Sequence, residues 1–234
     1  FHRKGASDGD VYGFVAGFDG KVSDTLTAGF GYGYTYVSEK SPDARAKTRM
    51  HNGFVYARYQ PSEWFLNAVA GGGFGESEIK ESASYDTWYA DANATLGKDY
   101  ATQIGVITPL ATLRYTFVKA DGYTADGFGY DPDDAHLLTG AAGARWTGTF
   151  GAFKPYVTAL ATYDFVSDDA KARVVAGGVE TVLRDARTKR LGAEFGAGVS
   201  AQIADDVSVT ADWRGAFTTH YRDNTASLSL RFDF

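Results

Sequence analysis

Leu26-Thr27-Ala28-Gly29-Phe30-Gly31-Tyr32-Gly33-Tyr34-Thr35-Tyr36 decides the fold. The even positions hold Leu, Ala, Phe and three Tyr, and the odd positions hold only Thr and Gly. Strict period two means a strand with one aromatic, apolar face and one small, polar face. The same rhythm returns toward the C-terminus. Leu191, Ala193, Phe195, Ala197, Val199, Ala201 and Ile203 alternate with Gly192, Glu194, Gly196, Gly198, Ser200 and Gln202. Val207, Val209, Ala211, Trp213 and Phe217 alternate with Ser208, Thr210, Asp212, Arg214 and Thr218, and Ala226, Leu228, Leu230, Phe232 and Phe234 close the chain on the same pattern. Toward the N-terminus, Tyr12, Phe14, Ala16 and Phe18 oppose Gly13, Val15, Gly17 and Asp19. No helical stripe competes, so the chain is all-β.

Weaker alternation fills the middle: 55–59, 64–70, 85–96, 104–117, 137–147 and 156–166. Pro109 cannot donate to a ladder and is expected at a strand end or irregularity. These segments give eleven strands, with Phe1 to Lys4 as the tail of a twelfth. Short connections are expected at 19–24, 60–63, 97–100, 148–154 and 204–206. Longer ones lie between them at 38–48, 76–84, 119–135 and 167–189, although 5–10 and 219–224 on that side are short too. Hairpins with short turns at one end and longer loops at the other describe a transmembrane antiparallel up-and-down β-barrel of twelve strands, its first strand incomplete in this chain.

Composition sharpens the class. The 234 residues include no Cys, 28 Gly, 15 Tyr and 16 Phe, with a net charge of −6. Disulfides and Cys-ligated metals are excluded, and an acidic chain argues against nucleic acid as a partner. Nowhere do 18 apolar residues run together, so there is no transmembrane helix. A soluble sandwich would use the same alternation with its apolar face inward. Here the apolar parity mixes Ala with aromatics that gather toward strand ends, as in an interfacial girdle. The polar parity carries Gly, Ser and Thr with charges of both signs, and the last residue is a hydrophobic strand residue, Phe234. Both point to lipid outside and a polar lumen. The lumen then receives Arg58, Arg114, Arg145, Glu194, Asp212, Arg214 and Arg231, which are expected to pair across strands and to contact a plug or a translocating chain.

The sequence resembles the C-terminal translocator domain of bacterial autotransporters (type V secretion). The resemblance rests on Gly13-Phe14-Val15-Ala16-Gly17-Phe18-Asp19, on Gly29-Phe30-Gly31-Tyr32-Gly33-Tyr34, on Thr108-Pro109-Leu110-Ala111-Thr112-Leu113-Arg114-Tyr115 and on Lys154-Pro155-Tyr156-Val157. Leu191-Gly192-Ala193-Glu194-Phe195-Gly196-Ala197-Gly198 and the terminal Leu228-Ser229-Leu230-Arg231-Phe232-Asp233-Phe234 complete it. It covers nearly all of 1–234, taken as one domain. It implies an outer-membrane anchor that displays an N-terminal passenger at the cell surface, with a linker or upstream segment in the lumen. It also implies recognition of Phe232 and Phe234 by the barrel assembly machinery, a monomeric barrel, a periplasmic C-terminus and extracellular long loops. The rivals are a stand-alone pore or structural barrel, and a barrel hydrolase acting at the outer rim.

No enzyme chemistry stands out. Gly5-Ala6-Ser7-Asp8-Gly9 matches the G-x-S-x-G pattern, but that elbow needs a helix after it and a strand follows here. His51, His136 and His220 fall at extracellular strand ends, where a rim base is conceivable. No matching nucleophile spacing accompanies them. Asp121, Asp126, Asp131, Asp133 and Asp134 crowd one loop without EF-hand spacing, so it reads as a solvated acidic loop, with Ca²⁺ as the open alternative. The reading is therefore no enzyme, no cofactor and no metal.

Overall fold

A computed structural model describes residues 2–3, 7–40, 45–79, 83–125, 127–167, 171–176, 179–184, 190–218 and 221–233. In chain order the strands are β1 (His2–Arg3), β2 (Ser7–Ser23), β3 (Leu26–Lys40), β4 (Arg45–Tyr59), β5 (Trp64–Ile79), β6 (Ala83–Lys98), β7 (Tyr100–Thr102), β8 (Gly105–Ala120) and β9 (Tyr123–Ala125). They continue with β10 (Phe128–Pro132), β11 (Ala135–Thr147), β12 (Phe153–Ser167), β13 (Lys171–Ala176), β14 (Val179–Arg184), β15 (Leu191–Ala204), β16 (Val207–Thr218) and β17 (Tyr221–Phe232).

Antiparallel pairing runs β1 to β6, then β8, β11, β12, β15, β16 and β17, and β17 returns to β1. That ring contains the expected twelfth strand, with β1 described over two residues. Closure matters because an unpaired strand edge in hydrocarbon costs several kcal/mol per polar group. β9, β10, β13 and β14 form a separate four-stranded sheet at the long-loop end. The long connections expected at 119–135 and 167–189 carry strands of their own, β9 and β10 in the first and β13 and β14 in the second, and β10 pairs with β13.

Three further connections differ from the sequence reading. The connections expected at 38–48 and 76–84 are shorter, since β3, β4, β5 and β6 continue as ladders beyond the girdle: Lys40 pairs with Arg45, and Ile79 with Ala83. Polar rungs keep these overhangs together, Arg49 meeting Glu78 at 3.0 Å on the outward face. The turn expected at 97–100 lies instead at 103–104, where Gly105 takes φ 126° and Thr102 Oγ1 donates to its carbonyl at 2.7 Å. β7 continues β6 past a break at Asp99. Pro109 sits opposite that break, between the rungs Tyr100–Ile107 and Gly97–Leu110, so its missing N–H falls where the ladder is interrupted.

The molecule has no conventional core. Among described hydrophobic residues only Phe65, Ala125 and Ala141 are buried, and no large side chain is fully enclosed. In β6 the outward Trp88, Ala90, Ala92, Ala94 and Leu96 are exposed, and the inward Tyr89, Asp91, Asn93 and Thr95 are half-buried. That inverts the soluble pattern. Leaving large apolar side chains in water costs about 1.5–3 kcal/mol each, so this outer face requires hydrocarbon.

Candidate functional site

The enclosed face of the ring is the site. Cross-strand register puts all seven singled-out charges on the lumen parity: Arg58 opposes Asn67, Arg114 opposes Asn93, Arg145 opposes Thr158, Glu194 opposes Leu160, Asp212 opposes Gly198, Arg214 opposes Gly196 and Arg231 opposes Ser208.

Arg114 and Glu194 pair as expected, but not between neighbours. β8 and β15 are separated in the ring by β11 and β12, so the pair crosses a chord of the lumen. Nη1 donates to Oε1, and Nη2 donates to Oε2 at 2.7 Å, a two-point fork that fixes both side chains. Beneath it is a cavity of about 180 Å³ lined by Asn93, Thr112, Arg145, Tyr156 and Arg214, among others. Arg145 Nε donates to Thr158 Oγ1 at 3.1 Å, and its guanidinium lies 5.1 Å from the centre of the Tyr156 ring. Asp212 accepts from Ser227 Oγ at 2.6 Å. Neither Arg145 nor Arg214 forms an ion pair with a described residue, and the cavity lining sets Arg114, Arg145 and Arg214 against Glu194 and Asp212, one more cation than carboxylate.

Arg58 belongs to the short-turn end. Its Nε and Nη2 donate to Gln60 Oε1 at 3.0 and 2.9 Å, and its guanidinium stacks 4.2 Å above the buried Phe65 ring. Arg231 reaches away from the cationic side, to Asp19 on β2.

The lumen also uses residues the sequence reading did not single out. Asn52 donates from Nδ2 to Thr35 Oγ1 at 2.9 Å and accepts from Tyr89 Oη at 2.9 Å. Tyr56 Oη donates to Asp19 Oδ2 at 2.6 Å. The aromatic rings here lie flat over glycines. A Cβ added at Gly29 would meet the Tyr56 ring at 2.6 Å, one at Gly73 would meet Tyr89 at 2.6 Å, and one at Gly31 would strike Phe54. The available signal was the lumen parity itself, which sets Tyr56 against Gly29 and Phe54 against Gly31.

His51 and His136 lie on the outward parity within the aromatic girdle. Tyr32 Oη is 2.6 Å from His51 Nδ1, and Tyr115 Oη is 2.8 Å from His136 Nδ1. Phe74 stacks on His51, and the Phe117 ring lies 4.9 Å from His136. His220 lies outside the described residues. Among the described residues no group of three His, Cys, Asp or Glu side chains converges on a point that could hold a metal. Of the acidic loop, Asp131 forms part of β10 and Asp126 lies outside the described residues. Phe232 points outward and is exposed; Phe234 lies outside the described residues.

At the long-loop end a tyrosine ladder joins the second sheet to the barrel. Tyr85 of β6 stacks on Tyr123 of β9 at 4.7 Å, and Tyr123 stacks on Tyr130 of β10 at 5.0 Å. Burial holds the Tyr123 phenol above the ordinary tyrosine range, with Tyr85 and Tyr130 adding to the effect.

Comparison with known proteins agrees with this geometry. A family model described as the autotransporter β-domain matches residues 3–214. The translocator domain of the autotransporter NalP from Neisseria meningitidis superposes with a TM-score of 0.82 at 17% identity, covering 100% of this chain and 83% of that one. The β-domain of the Bordetella autotransporter BrkA gives 0.76 at 21% identity, covering 97% and 92%. The transport unit of the autotransporter AIDA-I from Escherichia coli gives 0.69 at 14% identity, covering 99% and 85%. Among curated proteins none matches the sequence significantly.

Proposed function

The chain belongs to the autotransporter β-domain family, outer-membrane barrels that translocate a passenger, and from that premise we propose how this lumen serves the passage. Residues 1–234 act as one translocator unit. The polypeptide of an N-terminal passenger crosses the lumen past the Arg114–Glu194 chord, and a linker stays there afterwards. The observation that carries this reading is the imbalance on one side of the lumen: Arg145 and Arg214 border the cavity under the chord without an ion-pair partner among the described residues. They would hold carboxylates or backbone carbonyls of the threaded segment, with Asp212 in the same lining to receive its cations and Arg58 at the short-turn end.

The difference in loop length supports an orientation. Short turns and the C-terminus face the periplasm, and the long-loop end with its second sheet faces outward. The outward aromatic and aliphatic residues contact outer-membrane lipid, and the barrel works as a monomer. Phe232 on the last strand and the C-terminal Phe234 engage the barrel assembly machinery. The family's work is transport, and no catalytic role is assigned to His51, His136 or His220.

The test is the double reversal Arg145→Glu with Arg214→Glu in the full-length protein. Passenger arrival at the cell surface should slow several-fold while the folded barrel persists in the outer membrane. Unchanged arrival would overturn the assignment of these two residues.

A further inference from the structure

The paired strands β3 and β4 carry positive charge past the girdle on the lipid-facing parity. Register sets Tyr34 opposite His51, Tyr36 opposite Arg49, Ser38 opposite Lys47 and Lys40 opposite Arg45. These positions share one face, so the aromatic girdle gives way within four residues to Lys47, Lys40 and Arg45, all three exposed. Ser38, Lys40, Arg45 and Lys47 line a cavity of about 270 Å³ together with Ala46 and Glu78. The Glu78 carboxylate is already engaged, accepting from both Arg49 Nη atoms at 3.0 and 3.5 Å. Among the described residues Lys40, Arg45 and Lys47 form no ion pair. Other carboxylates flank the cavity rather than line it: Asp8 and Asp10 of β2 stand opposite Lys40 and Ser38, and Glu76 of β5 stands opposite Arg49.

The height of the cavity selects among anionic ligands. A barrel strand rising about 3.4 Å per residue at a tilt of about 35–45° advances about 2.5 Å per residue along the membrane normal. Lys47 lies two residues beyond the Tyr36–Arg49 rung, and Lys40 and Arg45 lie four beyond it. The cavity therefore stands roughly 5–10 Å above the last girdle ring. Girdle rings sit at the headgroup level, and the polar layer of a phospholipid leaflet is only about 5–8 Å thick. The phosphate of a glycerophospholipid thus lies beside the rings, below the cavity. A sugar headgroup that carries phosphates stands further from its acyl chains and reaches it, while those chains lie against the apolar wall. A polypeptide leaving the lumen passes inside the wall, and this cavity is on the outside.

We propose that Lys40, Arg45 and Lys47 bind the phosphate groups of a phosphorylated glycolipid in the outer leaflet, which rests on the orientation given above with the long-loop end outside. Arg45 supplies a planar fork that takes two phosphate oxygens at once. The two lysines add compact charges on flexible stems, which follow a headgroup of variable shape. The Ser38 hydroxyl offers a further donor. Because Lys40 and Arg45 face each other on a backbone ladder, the cations keep their spacing. The contact holds the β3–β4 hairpin to the headgroup surface beside the mouth of the lumen.

The test titrates lipopolysaccharide, a phosphorylated glycolipid, into the full-length protein in neutral detergent and counts the lipid bound per folded barrel after gel filtration. One Lys or Arg at an anionic lipid surface is worth about five-fold in affinity. Lys47→Gln should therefore weaken binding about five-fold, and the triple variant Lys40→Gln, Arg45→Gln, Lys47→Gln more than about twenty-fold. Lys119→Gln removes an exposed cation opposite Trp88 on β8, away from the cavity, and should bind like the native protein. Lys47→Gln stands in if the triple variant does not fold. Lipopolysaccharide stripped of its phosphates should bind the native protein as weakly as intact lipid binds the triple variant. Phosphatidylglycerol and inorganic phosphate at equal phosphate concentration should not compete. The proposal is overturned if Lys47→Gln matches Lys119→Gln, if the stripped lipid binds like the intact one, or if either competitor displaces it. Orientation is read separately, by a membrane-impermeant maleimide on intact cells carrying Asp133→Cys at the long-loop end. Labelling is expected; a cysteine reached only after the outer membrane is broken would overturn the orientation, and the leaflet with it, whatever the titration shows.

Discussion

Replacing Glu194 by Gln removes one charge from the chord while leaving its shape. Arg114 then remains in the lumen wall with its cation no longer matched. The side chains are 30% and 14% exposed, so the pair is neither a solvated surface bridge nor a dry one. Surface pairs contribute about 0–1 kcal/mol, and breaking a fully buried pair costs about 3–5 kcal/mol. This site falls between them, at about 2 kcal/mol, the usual worth of hydrogen bonds to charged groups. For a chain of this length that corresponds to a fall of about 4–8 °C in the unfolding midpoint. The assay is a double-mutant cycle: Glu194→Gln, Arg114→Gln and the double variant, each scored by the temperature at which the folded form disappears in SDS. Each single change should show the fall, and the double should lose little more than either one. Two additive losses, or no loss from Glu194→Gln, would refute the claim that the chord couples β8 to β15.

Glycine positions supply a sharper contrast. A Cβ at Gly75 would collide with the backbone carbonyl of Arg49, whereas one at Gly53 meets nothing within 4 Å. Gly75→Ala should reduce the yield of folded barrel, and Gly53→Ala should leave it unchanged, as read by heat-dependent gel migration. His51→Phe and His136→Phe keep the girdle aromatic, so passenger display on intact cells should continue at the native level; its loss would give these histidines a role beyond lipid contact. The Tyr123 phenol has its folded-state pKa raised by burial, so the folded form holds the proton more tightly than the unfolded one. The stability it contributes is therefore present below about pH 10 and is lost as pH rises through the folded value. Absorbance titration at alkaline pH should lose one late-ionising tyrosine in Tyr123→Phe, with docking of the second sheet on β6 weakening in the same range.

Much of this architecture was legible in the residues because a barrel strand writes its two environments in alternate positions. Leu26 to Tyr36 gave β3 and its outward face directly, and 191–203 gave β15. The ring order followed, since consecutive hairpins leave few other topologies. Strand ends were less legible: Lys40 to Arg45 and Ile79 to Ala83 are polar, and polar rungs read as loop until the backbone pairing is seen. The turn at 103–104 was hidden because Tyr100 to Thr102 continues a ladder after the break at Asp99. Long-range partners were hidden for a different reason. Parity places Arg114 and Glu194 in the lumen, but which charge meets which depends on barrel curvature and on side-chain reach across two strands. The Asp19–Tyr56 contact is hidden for the same reason: parity puts Asp19 in the lumen, but Tyr56 resembles an outward girdle tyrosine by type, and the two lie on strands separated by β3. The second sheet at 123–184 joins two loops distant in sequence, and no local pattern encodes that pairing.

The central claim is that this barrel carries a linked passenger to the cell surface. It is tested most directly by an epitope tag placed upstream of Phe1 in the full-length protein and treated with protease on intact cells. Loss of the tag to external protease, with the barrel retained in the outer-membrane fraction, is the predicted result. A tag that stays protected in intact cells and becomes cleavable only after the outer membrane is broken would contradict it.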